Sequence, residues 1–152
     1  MTESFSVFTL LGPKDIEHLG GIPGKAIVGL VSPEAMAAGR ITPSTFRPNP
    51  AFADVLHSVI ETWAPESRSL QDEARRIEDG AVFVIDLRTP APLGEVPPED
   101  ILGYFEAKAG LLVRNSYHRN PNHLLVSERG PFQLGKPILA RLLDALRSLP
   151  PE

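Results

Sequence analysis

The chain has 152 residues, a formal net charge of −4 and a pI near 5.6, and it contains no cysteine. That length sets a single globular domain over 1–152 as the expectation. The acidic balance, with no basic run longer than Arg75-Arg76, argues against a partner recognised through phosphate charge, and zero cysteines exclude disulfides, thiolate metal sites and cysteine nucleophiles.

Ser4 to Leu11 alternates in polarity and is rich in strand formers, which predicts a half-buried first strand ended by Gly12-Pro13. A loop over 20–24 leads into a short apolar strand, Lys25 to Val31. Ser32 as N-cap with Pro33 at the first helical position predicts a short helix, which Gly39 can close in the left-handed conformation. Pro43, Pro48 and Pro50 make 40–50 an ordered loop. Ala51 to Trp63 is the clearest helix, because Phe52, Val55, Leu56, Val59, Ile60 and Trp63 form one apolar stripe, and Pro65 stops it.

A second helix, about 67–79, carries a narrower stripe of Leu70, Ala74 and Ile77 and is expected on the surface. Ala81 to Leu87 is apolar without alternation until Asp86, which predicts a strand buried on both faces and central in its sheet. Pro90, Pro92, Pro97 and Pro98 make a long connection to the next strand. Lys136-Pro137 opens a last amphipathic helix, with Ile138, Leu139, Leu142, Leu143 and Leu146 inward, ended by Pro150-Pro151.

Between 101 and 128 the strands are joined by tight turns. A three-residue loop, Lys108-Ala109-Gly110, pairs Ala107 with Leu111, Phe105 with Val113, Gly103 with Asn115 and Ile101 with Tyr117. A four-residue loop over 119–122 pairs His118 with His123, Tyr117 with Leu124 and Asn115 with Val126. One face then carries Ile101, Phe105, Ala107, Leu111, Val113, Tyr117, Leu124 and Val126, which is the core side. A two-residue loop at Ala109-Gly110 would put Glu106 and Lys108 on that side instead, a worse arrangement. The opposite face collects Tyr104, Glu106, Leu112, Arg114, Ser116, His118, His123, Leu125 and Ser127. Contacts placing Phe105 and His118 on one face would refute this assignment. The expected fold is α+β, mainly antiparallel sheet with a C-terminal three-strand meander (about 101–128) packed by amphipathic helices (about 51–63, 67–79 and 137–148).

Tyr117-His118-Arg119-Asn120-Pro121-Asn122-His123 is the densest cluster of hydrogen-bonding side chains in the chain. With Tyr104, Glu106 and Arg114 on the same face, it makes Tyr104, Glu106, Arg114, Tyr117, His118, Arg119, Asn120, Asn122 and His123 the candidate binding residues. Asn and Pro are also what turns are built from. Cross-strand His118 and His123, about 5 Å apart at Cβ, could share a metal, but spacing fixes no third ligand and no metal site is assigned. Histidine can act as acid or base near neutrality, yet neither a nucleophile nor an orienting carboxylate stands beside these two, so no catalytic residue is assigned.

Asp86 and Arg88, at the end of the apolar strand, are secondary candidates, since strand ends present functional carboxylates; an ion pair would explain them equally. His57 and Glu61 share the polar face of the 51–63 helix at a spacing of four, which is also ordinary helix decoration. Gly20-Gly21-Ile22-Pro23-Gly24-Lys25 fails as a phosphate loop: Leu19 stands where the first glycine belongs, Ala26 follows the lysine, and the segment precedes a strand. No HExxH, GxSxG, GxGxxG, EF-hand or zinc-finger pattern is present, and no cofactor is implied.

Met1-Thr2-Glu3-Ser4-Phe5 has no positive region before an apolar stretch, and no apolar run approaches the ~18 residues of a membrane span. A soluble cytoplasmic protein without membrane association is expected. The reading that follows is a non-catalytic protein of inhibitor, immunity-type, chaperone or adaptor kind, binding a protein partner through the polar meander face. The alternative is a small enzyme, or a small-ligand or metal-binding protein, with its site around His118, Arg119 and His123. That alternative requires the two histidines to line a common cleft.

Overall fold

The first third of the chain folds into a small antiparallel sheet. In the computed structural model, which describes residues 4–88 and 96–150, β1 (Ser6–Thr9) pairs with the strand that follows α1 (Pro13–Leu19), namely β2 (Ile27–Val31). After α2 (Pro33–Ala38), β3 (Phe46–Pro48) pairs with the other edge of β2. The expected N-cap of α2 is present: Ser32 Oγ accepts the Ala35 N–H at 3.4 Å, and Gly39 closes the helix at φ 69°.

Neither α1 nor β3 is predicted by the sequence. Pro13 does not merely end β1; it opens a helix, with Asp15 accepting the Gly12 N–H at 3.2 Å and Gly20 closing it at φ 76°. Of the three prolines that marked 40–50 as a loop, only Pro48 lies in β3, where an edge strand has one side whose N–H groups need no partner; Pro43 opens a 3-10 turn and Pro50 the next helix.

The central apolar stripe becomes α3 (Pro50–Trp63), where Phe52, Leu56 and Ile60 are fully buried. Asn49 caps it by accepting the Ala51 N–H at 3.2 Å. α4 (Arg68–Ile77) follows, capped by Ser67, and turns through Glu78 into β4 (Gly80–Ile85). β5 (Ile101–Lys108) pairs antiparallel with β4, with β6 (Leu111–Leu112) and with β7 (His118–Arg119). β8 (Val126–Ser127) and β9 (Gly130–Pro131) form a separate hairpin, and α5 (Lys136–Arg147) closes the described chain. Val28, Phe52, Leu56, Ile60, Leu102, Phe105, Leu142 and Leu146 belong to one buried cluster, so a single apolar core joins β2, α3, β5 and α5. Each of these side chains contributes about 1.5–3 kcal/mol by leaving water. The α+β class is as expected.

Three expectations need correction. First, β4 is not a central strand. It is the edge of its sheet, and only one of its faces is covered: Val82 is fully buried while Phe83 and Ile85 are 48% and 38% exposed. An apolar run cannot by itself distinguish a strand buried twice from one whose second face is bare. Second, the β5–β6 turn is the two-residue Ala109-Gly110 form, pairing Ala107 with Leu112 and Lys108 with Leu111. Both turn residues take positive φ, 52° and 78°, the backbone that a tight hairpin requires. Leu112 therefore packs against the core and Leu111 is 71% exposed, the reverse of the expectation. One continuous strand over 111–117 would disfavour this turn, but a 3-10 turn at Arg114–Ser116 resets the phase before β7.

Third, the meander has no third strand on its outer edge. The chain over 124–128 leaves the sheet, and β8 within it pairs with β9 instead, so Leu124 is exposed and Leu125 is buried, again reversed, whereas Val126 is buried as expected. The face assignment of β7 nevertheless holds. β7 pairs Gly103 with Arg119, four positions beyond the expected Asn115, and an even displacement preserves the side to which each residue points. Phe105 lies 5.0 Å from Tyr117 on the inner side and Tyr104 lies 4.7 Å from His118 on the outer side, measured between ring centroids. Pro90, Pro92, Pro151 and the first three residues lie outside the described residues.

One glycine permits the close approach of β7. A Cβ on Gly103 would stand 2.5 Å from the His118 carbonyl oxygen and 2.6 Å from the Tyr117 hydroxyl. Gly103→Ala is therefore expected to destabilise the fold by about 1–3 kcal/mol through overpacking, read as a lowered urea midpoint with an unchanged slope. A neutral result would mean that β7 can move away freely.

Candidate functional site

The outer face of the second sheet carries an exposed row of rings. The registers Phe83 opposite Tyr104 and Tyr104 opposite His118 place three side chains side by side across β4, β5 and β7. The Phe83 and Tyr104 ring centroids are 5.9 Å apart and tilted by 58°; those of Tyr104 and His118 are 4.7 Å apart and nearly parallel at 15°. His118 is exposed and Tyr104 half-buried. Ile85, two residues along from Phe83, extends the row, Leu87 beyond it is 58% exposed, and Glu106 is exposed two residues from Tyr104. Exposed aromatic and aliphatic side chains gathered on one sheet face make a surface suited to another macromolecule.

The other residues marked by the sequence do not gather there. Tyr117 turns inward, and its hydroxyl lies 2.7 Å from His57 Nδ1 and 3.3 Å from the Leu102 carbonyl oxygen. His57 is correspondingly buried instead of lying on the polar face of α3, while Glu61 is exposed, so their spacing of four does not make a pair. Burial holds His57 down to a pKa of about 4, helped by the positive charge of Arg119 and by His123 and opposed by Asp54. Burial likewise pushes the Tyr117 phenol above its ordinary value, with Arg119 acting in the opposite direction and Glu61 in the same one.

Arg119 forms an exposed ion pair with Asp54 at 2.8 Å. Asn120 is a turn former: its Oδ1 accepts the Asn122 N–H at 3.0 Å, and its Nδ2 donates to the Pro98 and Ile101 carbonyls at 2.8 and 2.9 Å. Asn122 and Arg114 are exposed at turns. Ser116, expected on the outer face, is buried and binds the chain to itself, accepting the Glu106 N–H at 2.8 Å and donating to the Val113 carbonyl at 2.6 Å.

His123 is far from the role the sequence suggested. Its side chain is buried, and Nε2 donates to Asp86 Oδ2 at 2.9 Å. Asp86 Oδ1 accepts the N–H groups of Arg88 and Gln133 at 3.1 and 2.8 Å. Arg88, also buried, lies with Nε 2.7 Å from Asp100 Oδ1 and 3.6 Å from Asp86 Oδ2. Its terminal nitrogens donate to the carbonyls of Glu99, Leu124, Leu125 and Gly130 at 2.5–3.4 Å, and Arg129 reaches Asp100 Oδ2 at 3.1 Å.

Two buried carboxylates are thus balanced by the buried Arg88 guanidinium and by Arg129, which reaches in from a side chain that is 44% exposed. The cluster's lone pairs and protons are spent on the chain itself, which is what a buried network needs to be tolerable. The ion pair foreseen for Asp86 and Arg88 is present, at the long end of the range, but the sequence reading did not include Asp100, the carboxylate that holds Arg88 most closely. His118 faces outward and His123 inward, so the two histidines share neither cleft nor ligand. Among the described residues no three His, Asp or Glu side chains gather as metal ligands, and no helix is long and apolar enough to cross a membrane.

No protein-family model matches this chain, and neither a curated protein nor a solved structure does. The fold and surface define an α+β chain with an apolar-aromatic sheet face exposed beside a closed, self-satisfied polar cluster.

Proposed function

We propose that this chain works without catalysis, by binding another protein through the outer face of the sheet formed by β4, β5 and β7. The observation that carries the reading is the exposed Phe83–Tyr104–His118 row, with Ile85 and Leu87 beside it. Leaving that much apolar surface in water serves no folding purpose, and aromatic side chains with a polar tip are the commonest anchors of protein interfaces. The acidic-basic groups that could do chemistry support the same reading by their placement. Asp86, Asp100, Arg88 and His123 are buried in contacts with the chain, where no substrate reaches them.

The test uses a partner isolated from the native host by affinity capture, identified by mass spectrometry, produced pure and titrated calorimetrically. Tyr104→Ala combined with His118→Ala is expected to weaken binding by about 2 kcal/mol or more, the range of an interface hot spot, without a change in thermal stability of comparable size. Absence of a stoichiometric partner, or undiminished affinity of the double variant, overturns the reading.

A further inference from the structure

Around the corner from the ring surface runs the free side of β4. The Asp86 N–H donates inward to the Asp100 carbonyl at 2.7 Å, whereas the Leu87 N–H donates outward to the Gln133 carbonyl at 2.9 Å. Backbone groups alternate sides along a strand of an antiparallel ladder, so Ala81, Phe83 and Ile85 direct N–H and C=O away from β5. Among the described residues no strand pairs with that side. The strand reads Gly-Ala-Val-Phe-Val-Ile, without the charges or prolines that commonly guard a sheet edge.

Beside this edge lies a groove of about 720 Å³ with Trp63, Leu70, Val84, Leu134 and Ile138 among its walls and Ser69 on its lip. The Arg141 guanidinium lies 3.6 Å over the Trp63 ring, which fixes the indole as one wall. Glu66 and Arg68 stand on the rim with opposite signs.

We propose that this edge and groove hold an extended segment of a partner protein, apolar at every second residue and added to β4 as a further strand. The proposal rests on the reading that the chain binds a protein; its groove shares Phe83, Ile85 and Leu87 with the ring surface but does not include Tyr104 or His118. The outward row of donors and acceptors calls for a backbone, which a small apolar ligand would not supply. The groove calls for side chains on one side of that backbone, and its volume falls in the range of about 300–1,000 Å³ that takes a drug-sized group.

A second copy of β4 does not meet both demands. Its inward-facing Val82 is already fully buried against its own α4, packed with Ala74, Leu70 and Ile77, and cannot enter a neighbour's groove. A segment bare on both faces can. The mixed-sign rim leaves recognition to hydrogen bonds and apolar contacts, so binding depends little on salt.

The experiment pans phage-displayed random short peptides against the full chain and titrates the strongest one as a synthetic peptide. Enriched peptides are expected to alternate apolar residues. Methylating alternate backbone amides of the peptide is expected to weaken binding about tenfold or more, a difference of about 1.4 kcal/mol. Ser69→Trp, at an exposed position that fills the groove, has the same effect, and Ile85→Pro, which deletes one outward N–H but no bond to β5, does so independently. Tyr104→Ala, outside the groove lining, leaves peptide affinity unchanged, which separates this site from the Tyr104–His118 part of the ring surface. The proposal is overturned if no peptide is enriched, if the methylated peptide binds equally well, if neither variant weakens binding, or if the chain forms a dimer that Ile85→Pro dissociates.

Discussion

Arg88→Ala is expected to cost about 3–5 kcal/mol of stability. Set against the roughly 5–15 kcal/mol by which native domains are stable, that loss leaves a protein near its unfolding threshold at ordinary temperature. The cause is the removal of the charge that makes two other buried charges tolerable. Asp86 and Asp100 are both fully buried, and Arg88 lies within 2.7 Å of the second and 3.6 Å of the first. The same guanidinium closes four backbone carbonyls from three separate segments.

Arg88→Lys is expected to recover less than half of the loss, because an ammonium is a point donor and cannot reproduce a planar fork facing a carboxylate on one side and carbonyls on the other. Arg88→Met, which restores volume without charge, should fare no better than Lys. Urea unfolding of the three variants ranks them, and an Arg88→Ala protein as stable as the wild type would show that the cluster does not hold the fold.

That cluster also explains why the turn at 117–123 reads as one surface in sequence and is divided in space. Its residues divide by side of the sheet: Tyr117 and His123 go inward, His118 faces out, and Arg119, exposed, reaches Asp54 on α3. His123 can go inward because Asp86, at the end of β4, waits there with an unfilled oxygen. The clamp then draws 123–125 and 130–133 onto the end of β4 and pulls Leu124 to Val126 away from β7. The third meander strand fails for that reason. Short-range pairing between His118 and His123 competes with a buried carboxylate–imidazole contact and with five donors of Arg88, and the buried contacts win.

What was legible followed from local rules. Helix α3 needed only its apolar stripe, although its Asn49 cap and Pro50 start lie in the stretch expected to be loop, and α2 needed only Ser32, Pro33 and Gly39. The sides of β5 and β7 survived a register error because side-chain direction has period two, and the error at β7 was even. The rest depended on tertiary neighbours. Leu111 and Leu112 are chemically alike, so only the number of turn residues decides which is buried, and positive φ at Ala109 is not announced by an alanine. Phe83 and Ile85 sit on alternate positions with Val82 and Val84 between them, and nothing local distinguishes the covered pair from the bare one. The exposure of Phe83, on which the proposed function rests, is therefore a property of what fails to pack on it and could not be read from β4 alone.

Stability is expected to rise with pH between about 4 and 6.5, with His57 as the main source. Its folded pKa lies near 4 against an ordinary value of 6.5, so within that window the unfolded chain binds a proton that the folded chain refuses. The stabilising contribution is complete above about 6.5 and disappears as pH falls to about 4. Its size is of order 3 kcal/mol, at most about 1.4 kcal/mol for each pH unit. Urea unfolding at pH 7 and at pH 4.5 measures it, and His57→Gln should flatten the difference by most of that amount.

Tyr117→Phe separates the two physical causes. It removes the hydroxyl 2.7 Å from Nδ1 but leaves the ring that keeps water away. Loss of about 1 kcal/mol at pH 7 is expected from the missing hydrogen bond, with the pH slope retained, because burial outweighs every charge acting on His57: Arg119 and His123 lower its pKa further and Asp54 raises it. A Tyr117→Phe protein whose stability no longer changes between the two pH values would show instead that the phenol, and not exclusion of water, keeps the imidazole neutral.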